Sequence, residues 1–408
     1  MRTAKHETMR SLNASVLLNC VRKQAPLTRH ELQHRTGLSW GAVSSIVSEF
    51  LALGILTEMP IQNTHAGRTP VALDINARDH LCVGLDIHAQ GLHCVVTDMR
   101  ARTLYTTREG VRLPSRQGVL DQAVSMAEEA IERVGVEKSR YIGAGLSVQG
   151  AVDAERGVSL HSPHLPDWRN VPLTELIGGR LGLPATLSHD TNAVMMAELW
   201  SGRASGARNL VFVRLDMGIG MAVVIDDRLY TGASGIAGEL GHMVINPGGP
   251  RCTCGNYGCL EAYASGRSIL QRVREGINTG CCALKLTGRY DRDLDLVAEA
   301  ADAGSAFERD LFETMGMYLG VGISNYVIMM NPEMVVIGGD LARHSRLYLD
   351  RVNAVLKRNV WTGGPIDVVI SDLNPDAAAI GATLLLVQQA LGGHIPHSLG
   401  DLFRSLAQ

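Results

Sequence analysis

Residues 81–99 read LCVGLDIHAQGLHCVVTDM, and residues 210–227 read LVFVRLDMGIGMAVVIDD. In each, an apolar run ends in an acid, Asp86 or Asp216, a short turn follows, and a second apolar run returns. Apolar runs bounded by such turns are the pattern of a β-hairpin. Because the pattern occurs twice, roughly 130 residues apart, it predicts two related α/β lobes with a ligand cleft between them.

Outward from the hairpins, amphipathic stretches at Val119–Val134, Asn192–Ser201 and Phe307–Met330 predict helices, the last with Gly316, Gly320 and Gly322 for close packing. Met334–Ile337 before Gly338-Gly339, and Ile366–Ile370, predict later strands. With 46% hydrophobic residues, 44 Gly and 4% aromatics in 408 residues, the chain suits a large α/β protein and excludes disordered and fibrous classes. No apolar run reaches the roughly 18 residues of a membrane span, so a cytoplasmic protein without membrane insertion is expected. Three domains are expected: 1–75, 76–195 with a C-terminal helix (376–408) packing back near it, and 196–375.

Charge is distributed unevenly. Residues 1–75 hold eight Lys and Arg against five acids, the remaining 333 thirty against thirty-six. A small basic module on a large acidic body is the layout of a nucleic-acid reader with a separate ligand domain. Within the module, Leu12, Val16, Leu17, Cys20 and Val21 form one apolar face ended by Pro26. Thr28 with Glu31 forms a capping box opening a second helix, Gly37 provides a turn, and Ser39 caps a third. Val43, Ile46, Val47, Phe50 and Leu51 fix the buried side of that helix, leaving Ser39, Trp40, Gly41, Ser44 and Ser45 outside. A small, polar outer face lets a recognition helix sink into the major groove of double-stranded DNA. Residues 54–58 and 70–73 read as a two-stranded wing with Arg68 at its tip, placed to enter a minor groove, and Thr69–Asp79 as the junction to the body. A helical docking module without nucleic acid is the alternative reading.

Three of the eight cysteines, Cys252, Cys254 and Cys259, fall within eight positions, with His242 shortly before them. Three thiolates and an imidazole make a closed, structural tetrahedral site for one Zn2+ per chain, while Gly255 and Gly258 allow the tight ligand loop. A cluster of ordinary buried thiols is the plainer alternative.

Together these motifs, Gly67-Arg68-Thr69-Pro70, Gly238-Glu239-Leu240-Gly241-His242, the cysteine loop ending in Glu261, and Val336-Ile337-Gly338-Gly339, resemble the ROK family of repressors, open reading frames and kinases. The resemblance covers essentially the whole chain and points to the winged-helix branch that includes the N-acetylglucosamine, glucose-responsive and xylose repressors. It implies an α/β fold: an N-terminal winged helix-turn-helix before a two-lobed actin-like, hexokinase-like (ribonuclease H-like) body. It also implies zinc on His242, Cys252, Cys254 and Cys259, and a sugar or sugar phosphate held by Asp190, Glu239, His242 and Glu261. Asp190 matches the kinase base, His189 stands where the family has Asn, and Gln149-Gly150 replaces its Pro-Gly beside the sugar. Glu239 and Glu261 would equally serve to support the zinc loop.

Family kinases carry Asp-x-Gly-Gly-Thr in the first hairpin and Gly-Thr-Gly-x-Gly in the second. Here the first reads Asp86-Ile87-His88-Ala89-Gln90, and the second Asp216-Met217-Gly218-Ile219-Gly220. Side chains at His88 and Ala89 obstruct the close approach to phosphate that glycine permits. The expected function is therefore a sugar-responsive, DNA-binding repressor without kinase activity, acting as a homodimer or homotetramer on operator DNA, with a phosphotransferase-system protein as a further partner the resemblance allows. An ATP-dependent sugar kinase with an appended N-terminal module is the alternative.

Overall fold

The structure is a computed structural model that describes residues 10–392 apart from 11, 12, 15, 19, 23, 61–70, 78, 205, 227 and 362–365. Arg68, and with it the tip of the wing, lies outside the described residues. The chain divides into two compact units, Met1–Trp200 with Asn374–Gln408, and Ser201–Leu373. No helix among the described residues is long and apolar enough to cross a membrane.

In the reader, helix Arg29–Thr36 starts from a capping box: the Thr28 hydroxyl accepts from Glu31 N at 3.2 Å, and Glu31 Oε2 accepts from Thr28 N at 2.7 Å. Gly37 ends the helix at φ 67°, a left-handed conformation glycine adopts without penalty. Helix Trp40–Ala52, capped by Ser39, buries Val43, Ile46, Val47 and Phe50. The wing is a three-stranded sheet instead of a two-stranded one, because Leu27–Thr28 pairs with Val71–Ile75, which pairs in turn with Leu56–Pro60. The supposed junction at 69–79 therefore contains a paired strand.

The first unit's main sheet orders its strands Ala185–His189, Tyr141–Val148, Leu81–His88, Gly91–Asp98 and Thr103–Glu109. The first three run parallel and the last three form an antiparallel meander. The second unit repeats the scheme: Asp367–Ile370, Met334–Gly338 and Leu210–Leu215 run parallel, then Ile219–Ile225 and Arg228–Tyr230 complete the meander. Both expected hairpins are present, so the architecture is the anticipated α/β one with a repeated sheet-rich unit.

Alternation along strand Leu81–His88 sends Leu81, Val83, Leu85 and Ile87 into a core shared with helix Arg116–Val134. The opposite face is covered by helix Ala377–Gly392, which comes unusually close. A Cβ on Gly84 would lie 2.2 Å from Ala379 O, and one on Gly145 2.2 Å from Ala382 O. Cys82, Met99, Ile142, Leu386 and Val387 pack into one cluster with the reader's Leu17, Val21, Val47 and Phe50. The reader's core is therefore continuous with the packing on the first sheet.

Gly145→Ala should cost about 1–3 kcal/mol through overpacking, whereas Gly41→Ala, with nothing within 4 Å of the new methyl, should leave stability unchanged or raise it by ~0.5–1 kcal/mol. Denaturant midpoints measure both; equal midpoints would contradict the close helix-on-sheet approach.

Candidate functional site

The loop after strand Arg228–Tyr230 has little regular structure, and its order comes from backbone hydrogen bonds and a cluster of donor side chains. Cys252 N donates to Asn256 O at 2.8 Å, Gly258 N to Pro250 O at 2.8 Å, and Leu260 N to Met243 O at 2.9 Å. Gly258 has φ 71°, and a Cβ there would meet Asn246 O at 1.6 Å. Leu260, fully buried, fills the notch left by Gly322 on helix Ala306–Met330 and ties the loop to the second unit's core.

This folding brings His242, Cys252, Cys254 and Cys259 together, with their donor atoms all within 4.8 Å. Cys254 Sγ lies 3.7 Å from Cys259 Sγ, and Cys252 Sγ 3.7 Å from His242 Nδ1. A tetrahedron with metal–sulfur bonds of about 2.3 Å has edges of about 3.8 Å, so these separations fit a candidate tetrahedral metal site. Burial, chiefly, raises Cys252 and pushes Cys259 up to about 12. Those thiols keep their protons near neutrality unless a cation displaces them. With Nδ1 aimed at the thiols, His242 turns Nε2 outward, 3.9 Å from Glu239 Oε2.

Glu261 is held by its surroundings. Its Oε2 accepts from Ile219 N at 3.1 Å and its Oε1 from Thr253 Oγ1 at 3.1 Å, so it links the cysteine loop to the turn of the second hairpin. Asp216, in that turn, is paired with Arg214 and accepts from Asp340 N at 2.5 Å.

In the first unit, Asp190 opens helix Asp190–Ser201, is buried, and accepts from Thr191 N at 2.6 Å. His189 Nδ1 lies 3.3 Å from its carboxylate. Gln149 and Gly150 sit at the end of strand Tyr141–Val148, Gly150 at φ 95° against His161 O. Gln149 Nε2, His161 Nδ1 and Ser162 Oγ are buried without hydrogen-bond partners among the described residues. His161 and Ser162 escaped the sequence reading, because only the pairing of Ala151 with His161 brings them beside Gln149 and Gly150.

On the reader, Trp40 is exposed and stacks on His30 at 4.7 Å. Gly41 and Ser45 are also exposed and Ser44 is half-buried. The Ser39 hydroxyl accepts from Ala42 N at 3.3 Å, so it serves first as the helix cap. His30 was not among the sequence candidates; its proximity to Trp40 depends on how the two helices cross.

The description of the ROK family matches residues 82–389, more than half of the chain. The chain belongs to the ROK family. It is 26% identical over 393 residues to the xylose repressor of Bacillus spizizenii, covering 96% of this chain and 99% of that protein. It is 35% identical over 273 residues to the glucokinase of Thermotoga maritima, covering 66% of this chain and 85% of that enzyme. Among solved structures, a ROK family transcriptional regulator described as a homolog of the Escherichia coli MLC protein superposes with a TM-score of 0.81 at 25% identity, covering 98% of this chain and 99% of that one. The repressor and regulator matches take in the reader module, whereas the kinase match leaves a third of this ROK chain unaccounted for.

Replacing one thiolate should dismantle the centre. Cys254→Ser should abolish the thiolate-to-metal charge-transfer absorption of the Co2+-loaded protein and lower its Tm; at free metal ~1,000 times Kd the lost stabilisation is about 4 kcal/mol. An unchanged Tm with the absorption intact would remove Cys254 from the donor set.

Proposed function

We propose that this ROK protein is a sugar-responsive transcriptional repressor of carbohydrate-metabolism genes and not a kinase. The observation that carries this reading is the union of a winged helix with a body whose first hairpin bears His88 and Ala89 where family kinases have glycines. Phosphoryl transfer relies on backbone amides and charge arranged closely around the phosphates, and side chains at those positions block that approach. In the second hairpin, Asp216 is already engaged by Arg214 and Asp340 N.

In this reading the reader binds operator DNA through Trp40, Gly41, Ser44 and Ser45, with Arg68 in the wing and Ser39 fixing the helix start. A homodimer or homotetramer would match two-fold related half-sites. The effector is a sugar or sugar phosphate, whose hydroxyls Asp190, Glu239 and Glu261 accept as carboxylates, with His242, His189, Gln149 and Gly150 completing the set. His242, Cys252, Cys254 and Cys259 would hold a Zn2+, whose bonds to them would order the loop. The loop's own residues do the rest: Glu261 joins it to the second hairpin, and Glu239 steadies the outer nitrogen of His242.

The effector signal has a physical route inside the first unit. Helix Asp190–Ser201 carries Asp190 in its first turn and Trp200 in its last, about 15 Å away at 1.5 Å per residue. Trp200 lies under Arg22 of the reader, with the guanidinium 4.5 Å from the ring centre. A displacement of Asp190 on sugar binding is thereby passed to the reader, and the operator equilibrium moves by the difference in sugar affinity between the two states.

Operator binding by fluorescence anisotropy, run with a panel of free and phosphorylated monosaccharides, tests the reading. One sugar should shift operator affinity by about 5- to 150-fold. Asp190→Asn should keep the affinity and lose the shift, while Ser45→Ala should change base preference and leave the shift intact. Turnover of ATP and a hexose at ordinary kinase rates, or no response to any sugar in the panel, would overturn it.

A further inference from the structure

The face of the first sheet covered by helix Ala377–Gly392 changes character along its length. Strand Leu81–His88 presents Cys82, Gly84, Asp86 and His88 to it in alternation, and strand Gly91–Asp98 sets His93 directly opposite Asp86. Cys82 belongs to the core shared with the reader, and Gly84 lies under the helix. Beyond the start of the helix the face ends in one carboxylate and two imidazoles.

Donor atoms of Asp86, His88 and His93 all lie within 4.8 Å of one another. Asp86 is buried, and the only hydrogen bond its carboxylate receives among the described residues is from the Ser147 hydroxyl on the neighbouring strand. A buried carboxylate so thinly solvated needs a positive partner. His93 Nδ1 is 3.1 Å from Pro375 O and therefore carries the proton, which leaves Nε2 with its lone pair free. His88 Nδ1 is likewise 3.0 Å from Gln90 Oε1. The two rings meet edge to face with centroids 5.0 Å apart. Each of the three donors thus has an outer partner that fixes its orientation, which is how metal ligands are held.

We propose that Asp86, His88 and His93 form a second metal site, for a divalent transition-metal ion such as Zn2+ or Ni2+, separate from the cysteine centre. Two imidazoles and one carboxylate select borderline transition metals, whereas Mg2+ and Ca2+ call for oxygen donors. A tetrahedral ion with bonds of about 2.0–2.1 Å sets its ligand atoms about 3.3 Å apart. The cluster closes around the ion by at most ~1.5 Å of side-chain movement, which half-buried His88, next to the hairpin turn, is free to make. Three protein ligands leave at least one coordination position for water or a small anion. In this chain, then, one side chain that stands where family kinases have a phosphate-binding glycine, His88, joins Asp86 and His93 in holding a cation.

The site does not depend on the sugar response, and its test reads metal alone. Full-length protein with its cysteine centre filled with Zn2+ is titrated with Ni2+ by calorimetry. One saturable equivalent is expected. His93→Gln and His88→Gln should each abolish it, and Ser147→Ala should weaken it by about 10- to 100-fold. His88→Gln, altering a half-buried residue beside the turn, guards against a folding defect, with circular dichroism as the check. Absence of a saturable event in the wild-type chain, or a Ni2+ affinity that persists in both histidine variants, would overturn the proposal.

Discussion

Helix Ala377–Gly392 rests so closely on the first sheet that most of the unit's geometry follows from it. Gly84 and Gly145 put no side chain of their own between the strands and the helix backbone, and Gly381 on the helix is closer still to helix Asp190–Ser201, where a Cβ would fall 1.7 Å from Ala193 O. One helix thereby fixes the two central strands, the helix that starts at Asp190, and, through Leu386 and Val387, the core of the reader. Its start is pinned as well, since Asp376 accepts from Thr106 Oγ1 at 2.9 Å and from Arg108 Nε at 2.6 Å on strand Thr103–Glu109. Close-packed interiors transmit displacement because they do not deform smoothly. A reader built into such a junction moves with the sheet beneath it.

The second unit solves a different problem. Between strands Arg228–Tyr230 and Met334–Gly338 it must order the long, glycine-rich approach to Glu261, which contains few apolar residues to bury. Backbone hydrogen bonds and the donor cluster of His242, Cys252, Cys254 and Cys259 stand where a core would otherwise be. The helices beyond it pack by ordinary means. Gly316 and Gly320 of helix Ala306–Met330 receive Tyr348 O, Arg351 and Val355 from the next segment, and Gly322 receives Leu260 from the cysteine loop. The loop is therefore tied within itself by backbone hydrogen bonds and wedged into the helical core by a single leucine.

Much of this was legible in the sequence because the signals are local. A capping box, a left-handed glycine, an apolar run broken by a turn, and three cysteines in eight positions each act over a few residues; the first three appear in the structure as read, and the cysteines appear as a cluster of donors with His242. Strand Leu27–Thr28 is too short to have a period. Strand Thr103–Glu109 is an edge whose side chains are mostly exposed or half-buried, so its pattern carries little hydrophobic signal. The second wing strand was read at 70–73 and runs on to Ile75, while its pairing with Leu27–Thr28 depends on residues far away in the chain. Donor constellations differ in the same way. The cysteines announce themselves by their spacing, but Asp86 meets His93 only through hairpin register, and Gln149 meets His161 only through a strand pairing. Composition states neither.

The least comfortable residue in the reader completes the coupling. Arg22 is buried, its Nε has no partner among the described residues, and burial pulls its guanidinium down to about 10. A desolvated cation over an indole ring gains about 2 kcal/mol or more, and Trp200 supplies that ring while its own Nε1 donates to Arg100 O at 2.9 Å. Arg100 in turn pairs with Asp74 on the last strand of the wing. An arginine that a leucine could replace without desolvation cost is a poor choice for stability alone. Under the proposed repressor reading it is a good choice, because a shift of Trp200 would leave a buried charge without its ring.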